Sequence, residues 1–265
     1  MSEDYSIMIP GANSSGKHTV KSPYDGSLIG SVEIADAKAV EKALSSADKL
    51  YRDRKNWLPG DQRIAILEKA ADIMQQRFEY LATEAAREGG KPLIDSRVEV
   101  ARAIDGVRNC AELPRHETGS EIAMRINPAS NGHMAFTHRE AIGVVVAISA
   151  FNHPLNLIVH QVGPAIAAGC PVIIKPAGDT PLSCMRFISI LREAGLPQEW
   201  AQACVVDDNS TAEKLACDER VAFFSFIGSA RVGWMLRSKL APGTRCALEH
   251  GGVAPVVVAA DADLD

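Results

Sequence analysis

From Gly143 onward, the sequence alternates short runs of β-type apolar residues with segments of helical periodicity. Runs that are apolar on both faces and separated by helices predict a parallel sheet with right-handed crossovers and a helical layer on each side. The sequence therefore predicts an α/β fold built on a doubly wound parallel sheet, in which ligands bind beyond the carboxyl ends of the strands. The predicted strands are "GVVVAISA", "PVIIK", "ACVVD", "VAFFSFIG" and "RCALE".

The first part of the chain is predicted to be mostly helical. Asp36 is placed to cap a first helix, and one long amphipathic helix is predicted from about residue 61 to 88, where Gly89 and Gly90 end it. Turn residues between two strand-like runs then predict a projecting β-hairpin. We expect residues 1–115 to form a helical part that packs on the ligand domain, residues 116–142 the hairpin, and residues 143–265 the ligand domain.

Composition narrows the classes of partner and compartment. The net charge of −5 comes from intermixed acidic and basic residues, so we expect no nucleic-acid or anionic-membrane partner. The N-terminus "MSEDYSIMIP" does not resemble a secretory signal, and the longest apolar stretch is too short to span a bilayer. Six widely spaced cysteines without a Cys-x-x-Cys pair indicate reduced thiols and no metal site. We therefore expect a cytoplasmic protein.

Two polar residues follow predicted strands at the edge where ligands bind. Asn152, in "AISAFNHPLN", carries an amide that can stabilise a developing oxyanion, an effect of roughly 3–4 kcal/mol. Its alternative role is to cap the following helix, with Pro154 at the first helical position. Lys175 closes "PVIIK" and can donate to ribose hydroxyls or a phosphate, or it can be a surface lysine whose stem lies along the strand end.

Two stretches near the end of the chain add further candidates. In "FIGSARVG", Ser229 begins a helix whose free N–H groups can hold a pyrophosphate, although most such caps bind nothing and the chain has no G-x-G-x-x-G motif. In "RCALEHGGVAPVVV", two runs predicted as buried strand flank Glu249, whose burial would cost several kcal/mol unless it is paired or used as a base. Cys246 should lie on the opposite face of that strand, in the core.

These stretches, taken together and in order, resemble the aldehyde dehydrogenase family. The resemblance is carried by "EGGKPL", "FNHP", "KPA", "GSARVG", "LEHGG" and "DADLD", and it is most specific from Glu140 to Asp265. It implies a Rossmann-like sheet of the aldehyde dehydrogenase type. It also implies NAD(P)-dependent oxidation of a small-molecule aldehyde to a carboxylic acid, through a thiohemiacetal and a thioester. NAD or NADP would be the cofactor, and the full-length form would be a homo-oligomer.

The resemblance also implies roles for individual residues. Asn152 matches the oxyanion-hole asparagine and Glu249 the base that activates the hydrolytic water, so these two are the predicted catalytic residues. Lys175 matches the lysine at the adenosine ribose, and the glycines and serine of "GSARVG", Gly233 included, match the helix start at the pyrophosphate. The predicted cofactor-binding residues are Ser149, Ala150, Phe151, Lys175, Ala177, Gly178, Gly228, Ser229, Val232 and Gly251.

The sequence also departs from the family pattern. The family nucleophile is a cysteine a few dozen residues beyond the glutamate, in a second domain, whereas this sequence ends sixteen residues after Glu249. None of the six cysteines occupies that context. We therefore expect an N-terminal part of an aldehyde dehydrogenase, without the catalytic domain and inactive alone. The alternative is a non-catalytic nucleotide-binding module or a pseudoenzyme subunit.

Two smaller features concern selectivity. Gly178 stands where many NAD-preferring members have a glutamate, so no carboxylate repels a 2′-phosphate and NADP should be tolerated. His250 and Val253 replace the usual leucine and lysine, and we assign His250 to packing. The polar residues of "FNHPLNLIVHQ" predict a small or polar aldehyde; they are His153, Asn156, His160 and Gln161.

Overall fold

The computed structural model describes residues 3–206 and 208–263. The strands are β1 (Glu3–Tyr5), β2 (Gly16–Lys21), β3 (Leu28–Ile34), β4 (Glu121–Ile122), β5 (Ala135–Phe136), β6 (Val144–Ile148), β7 (Val172–Lys175), β8 (Ala201–Ala203), β9 (Val221–Gly228) and β10 (Arg245–His250). The α-helices are α1 (Ala37–Arg52), α2 (Gly60–Gln76), α3 (Phe78–Gly89), α4 (Leu93–His116), α5 (Asn156–Ala167), α6 (Leu182–Ala194), α7 (Asn209–Cys217) and α8 (Ala230–Arg237).

The centre of the molecule is a five-stranded parallel sheet with the strand order β10-β9-β6-β7-β8. Alternate residues of β6 face opposite sides. Val145 and Ala147 pack in a core with α2, α4, α5 and α6, while Val144 and Val146 pack in a second core with α1, α7 and α8. Because helices cover both faces, β6, β7 and β8 are buried almost throughout, whereas β9 and the edge strand β10 are partly exposed. The predicted doubly wound α/β fold is confirmed.

The third predicted strand, "ACVVD", begins too late in the prediction. The strand is Ala201–Ala203, which pairs with residues 172–174 of β7. Gln202 lies in the buried strand because its amide donates to the Ala43 carbonyl at 3.2 Å and to Ser46 Oγ at 3.0 Å. A polar residue satisfied in this way interrupts the apolar run without ending the strand. Asp207, at the end of the predicted strand, and Asp265, at the end of the predicted ligand domain, lie outside the described residues.

The N-terminal part contains more than the predicted helices. Three strands form a small sheet in the order β1-β3-β2. The central strand, β3, pairs with β1 in parallel orientation and with β2 in antiparallel orientation. The helix predicted over residues 61–88 is two helices, α2 and α3, which separate at Arg77 (φ −101°, ψ 18°). Both keep an apolar face in the same core, where Met74 and Leu81 are buried. The apolar pattern therefore continues through a break that neither glycine nor proline marks.

The predicted hairpin is present but its paired strands are short. Strands β4 and β5 pair in antiparallel orientation through two residues each. The segment carries five exposed large apolar side chains: Ile122, Ile126, Met134, Phe136 and Ile142. Among residues 3–206 and 208–263, none of the helices combines the length and apolarity needed to cross a lipid bilayer.

Candidate active site

The residues singled out in the sequence lie mainly at one edge of the sheet. Ile148, at the end of β6, is level with Lys175 and Phe226, and His250, at the end of β10, is level with Gly228. Hydrogen bonds beyond the strands join the same edge: the Ser149 N–H donates to Lys175 O at 3.0 Å, and the Gly251 N–H donates to Gly228 O at 3.0 Å. This edge is formed by the carboxyl ends of parallel strands, where a doubly wound sheet binds its ligand.

Asn152 lies in an exposed turn between β6 and α5. The helix begins at Asn156, so Pro154 precedes it by two residues and does not take the predicted first helical position. The residue at the cap position is Leu155, without a side-chain hydrogen bond, so the predicted alternative that Asn152 caps the helix is wrong. Within the described part of the chain, the Asn152 side chain has no hydrogen-bond partner. Its amide is therefore free to donate to a ligand.

Lys175 lines a cleft of about 360 Å³ at this edge. The lysine is half-buried, its Nζ donates to Pro176 O at 3.1 Å, and burial lowers its pKa from the ordinary value. Val232, one of the predicted cofactor-binding residues, lines the same cleft, and so does Arg231. The remaining lining residues are Ile148, Asn209, Ala212, Glu213, Met235 and Leu236. The lining residues from α7, Asn209, Ala212 and Glu213, were not predicted because the sequence of this helix contains no ligand-binding motif.

The stretch "GSARVG" forms the predicted helix start. Ser229 caps α8 by accepting the Val232 N–H at 3.4 Å. Gly233 is required by packing, because a Cβ atom there would stand 2.4 Å from His250 Nε2. The His250 ring also packs edge-on against Trp234, with a centroid separation of 5.1 Å. His250 therefore packs under the helix start, in agreement with the packing role assigned from the sequence.

Glu249 lies on the exposed face of β10. Side chains alternate along this edge strand, so that Cys246 and His250 are half-buried while Arg245 and Glu249 are exposed. Cys246 and Glu249 thus lie on opposite faces, as predicted. The expected burial of Glu249 is wrong, because the apolar run over residues 254–258 forms no strand and is exposed. No described residue forms a hydrogen bond or ion pair with the Glu249 carboxylate.

The loop after β7 leaves room for a ligand or a larger side chain. No atom lies within 4 Å of the position that a Cβ atom at Gly178 would take, and the Gly178 backbone is held by His18, whose Nε2 lies 2.9 Å from Gly178 O. Ala177 is half-buried beside it. After β6, Phe151 is exposed, Ala150 is half-buried, and Ser149 is buried with a hydroxyl that has no partner.

The polar residues that predicted a polar aldehyde separate into two kinds. Asn156 and Gln161 are buried, and the Gln161 amide donates to Ile148 O at 3.1 Å and Ser225 Oγ at 3.0 Å. Gln161 therefore joins β6 to β9 and does not face a substrate path. His160 is exposed and His153 is half-buried, so these two of the four side chains are accessible to solvent.

Five of the six cysteines carry thiols whose pKa is raised by burial. Burial raises the pKa of Cys110 to about 11 and that of Cys204 to about 12, and it also raises the pKa of the other three thiols that lie away from β10. The reactive species is the thiolate, so these thiols are poor nucleophiles at neutral pH. Cys246, on β10, faces away from Glu249. The predicted mismatch between these cysteines and a catalytic nucleophile agrees with their positions.

The carboxyl edge of the α/β sheet thus carries an exposed amide, from Asn152, and an exposed carboxylate, from Glu249, together with the cleft that Lys175 lines. The sequence matches the model of the aldehyde dehydrogenase family over residues 11–265, and the chain belongs to that family.

Similar proteins include dehydrogenases that are named for several different aldehydes. The chain is 36% identical to 3-sulfolactaldehyde dehydrogenase of Priestia megaterium, over 94% of this chain and 51% of the relative. It is also 36% identical to alpha-ketoglutaric semialdehyde dehydrogenase of Bacillus subtilis, over 93% of this chain and 50% of the relative. The chain thus spans about half the length of the curated relatives it matches.

Solved structures of aldehyde dehydrogenases are also similar to this chain over about half of their length. Aldehyde dehydrogenase 21 from Physcomitrella patens, in complex with the reaction product succinate, superposes with a TM-score of 0.89 at 31% identity, over 96% of this chain and 53% of that one. Glyceraldehyde-3-phosphate dehydrogenase GapN from Methanocaldococcus jannaschii, complexed with NADP, has a TM-score of 0.82 at 31% identity, over 89% and 51% of the two chains. The chain therefore shares its fold with about half the length of each of these enzymes.

Proposed function

We propose that this chain binds NAD or NADP and supplies two catalytic groups of an aldehyde dehydrogenase. The observation that carries the proposal is the state of Asn152 and Glu249 at the edge where Lys175 lines the cleft. Both side chains are exposed, and neither has a partner among the residues that the structure describes. Polar side chains left free beside a cleft at a sheet switch point are typical of a ligand site. The residues present also fit a dinucleotide, with the Ser229-capped helix start available for a pyrophosphate.

In the proposed mechanism, each residue acts at a defined stage. A thiol from outside these 265 residues adds to the aldehyde, and the Asn152 amide donates to the oxygen as its negative charge develops. NAD(P)⁺, when bound, supplies the hydride acceptor. Glu249 then accepts a proton from the water that attacks the thioester, and the carboxylic acid is released. We propose that this thiol comes from outside the 265 residues. Burial raises the pKa of five of the six cysteines, and the sixth, Cys246, lies on the face of β10 opposite Glu249.

Cofactor binding tests the first part of this proposal. We expect calorimetric titration of the chain with NAD⁺ and with NADP⁺ to give similar, weak affinities, because the cleft is open and Gly178 places no carboxylate at the ribose. The absence of binding by both dinucleotides would remove the proposal. Strong preference for NAD⁺ would remove only the interpretation of Gly178.

Gly178→Glu is expected to weaken NADP⁺ binding about tenfold and to leave NAD⁺ binding unchanged, because the new carboxylate repels the 2′-phosphate. The side chain has room, since nothing lies within 4 Å of the Cβ position. Competition titrations with both dinucleotides measure the ratio of affinities. Gly178→Ala is the matched control, because it adds the Cβ atom without the charge. Equal losses in the two variants would assign the effect to bulk and contradict the electrostatic explanation.

We also propose that the hairpin of residues 116–142 lies between copies of the chain in the complete enzyme. Its Ile122, Ile126, Met134 and Phe136 are exposed large apolar side chains concentrated in one short segment, which is typical of a surface that another chain covers. In the complete enzyme, Phe136→Asp should lower the oligomeric state measured by sedimentation velocity. Tyr24→Asp, at an exposed site outside the hairpin, should leave the oligomeric state unchanged. An unchanged sedimentation coefficient for Phe136→Asp would exclude the hairpin as the interface.

Because all six cysteines are free thiols, we propose the cytoplasm as the compartment, which cell fractionation would test.

A further inference from the structure

A buried ion pair lies directly behind the turn that carries Asn152. Lys91, from the "EGGKPL" stretch between α3 and α4, forms a close salt bridge with Glu99 of α4. The Glu99 side chain is fully buried and that of Lys91 is 16% exposed. Burying two charges costs several kcal/mol of solvation unless further hydrogen bonds compensate for it. The other contacts of this pair therefore indicate what it holds in place.

Glu99 holds the start of α5 from the neighbouring helix. One carboxylate oxygen, Oε1, accepts the N–H groups of Leu155 at 2.8 Å and Asn156 at 3.0 Å. These are among the N–H groups that lack partners at the start of a helix, and a negative charge at this end is favoured by the helix dipole. Glu99 thus replaces the side-chain cap that neither Asn152 nor Leu155 provides.

Lys91 holds the turn itself. Its Nζ donates to the backbone carbonyl of Asn152 at 3.1 Å and lies 3.1 Å from His153 Nδ1. An ammonium group has three donors and no acceptor, so Glu99, Asn152 and His153 together use all three N–H bonds. The geometry thus places the Asn152 carbonyl and the His153 ring around one ammonium group, which also forms the salt bridge with Glu99.

We propose that Lys91 is a positioning residue for the catalytic turn, which aims the Asn152 amide by fixing the Asn152 carbonyl and the His153 ring. The Asn152 side chain has no partner of its own among the described residues, so its direction depends on the backbone that Lys91 and Glu99 hold. This proposal rests on the proposed oxyanion role of Asn152. It concerns the geometry of the turn in the chain itself, before any cofactor or aldehyde binds.

The test is NMR spectroscopy of the 265-residue chain with ¹⁵N-labelled lysine and asparagine. In the unaltered chain, we expect a resolved ammonium signal for Lys91, with proton exchange much slower than that of surface lysines. In Lys91→Met, we expect the backbone and side-chain signals of Asn152 to shift or broaden. The Asn156 amide signal should change as well, because its N–H donates to Glu99, whereas the asparagine signals away from this turn should stay in place. Lys91→Arg should restore the Asn152 signals in large part, because a guanidinium also donates several hydrogen bonds.

Lys17→Met serves as the matched control, since Lys17 pairs with Asp4 on the surface at 3.2 Å and should leave Asn152 unaffected. Unchanged Asn152 signals in Lys91→Met would overturn the proposal. If that variant fails to fold, the ammonium signal of the unaltered chain decides, because rapid exchange like that of a surface lysine would also overturn it. Failure of the chain to bind NAD⁺ or NADP⁺ would count against the proposed function and would leave this result standing.

Discussion

Asn152→Ala is expected to lower kcat about 10²–10³-fold in a catalytically competent form of the protein, the range observed when one oxyanion donor is removed. Thermal stability should be unchanged, because the side chain is exposed and makes no hydrogen bond with the described residues. A loss of rate without loss of stability is typical of an interaction made in the transition state. Cofactor affinity should also stay the same.

A suitable protein is a chimera in which the second half of an aldehyde dehydrogenase follows residue 265. Steady-state kinetics, dinucleotide titration and thermal melting would be compared for the chimera and its variant. Asn131→Ala, which removes an exposed amide from the hairpin, is the control and should leave all three quantities unchanged. A kcat within twofold of the parent would contradict the proposed role of Asn152. A fall in melting temperature that accompanies the loss of rate would instead indicate a structural role.

Glu88→Gln is expected to lower the free energy of unfolding of the chain by about 3 kcal/mol or more, as for other buried ion pairs that lose one partner. Burial raises the pKa of Glu88, and Arg186 opposes this shift from 3.6 Å away. The carboxylate also accepts the N–H groups of Leu182 and Ser183 at the start of α6. An amide in its place presents a donor to these donors and leaves Arg186 with less compensation.

Urea denaturation of the two forms would measure this change. Glu79→Gln is a matched control on the same helix, because Glu79 pairs with Arg97 at 3.0 Å on the surface. Exposed pairs contribute little, so the control should change stability by less than about 1 kcal/mol. Similar effects of the two substitutions would show that Glu88 is not needed to hold α6. Arg186 also contacts Glu3 and Glu84, and those contacts would then be sufficient.

Features set by neighbouring residues were predictable from the sequence. Asp36 caps α1 by accepting the Ala39 N–H at 2.8 Å, and Gly90 ends α3 in the left-handed region at φ 67°. Ser229 likewise caps α8, as expected from its position after a strand. In each case the contact that ends the helix lies within a few residues, so it can be predicted from a short stretch of sequence.

Features set by distant contacts were not predictable. Gln202 is polar and yet lies inside β8, because α1 supplies its hydrogen-bond partners more than 150 residues away. The break at Arg77 has no local signal, and the apolar pattern passes through it. Local propensity therefore gave the type of each element more reliably than its bounds.

The candidate site residues could be predicted from the sequence, but their exposure and the residues that support them were harder to predict. Asn152 and Glu249 follow from their types and from the family resemblance, and their roles stay predictions. The exposure of Glu249 was available in the alternation of "RCALEH", which has the period of a half-buried edge strand, with Arg245 on the same face. The support that Glu99 gives to Leu155 spans 56 residues and has no signal in the motif.

The order of strands in the central sheet also bears on how the chain can fold during synthesis. Strand β6 emerges first, β7 and β8 then add successively on one side, and β9 and β10 add on the other. Each new strand thus joins an edge that is already available, and none has to be inserted between two paired neighbours. Chains fold from their N-terminal side as they leave the ribosome. This topology allows the sheet to grow outward from β6 at the pace of translation, without reopening any pairing already made.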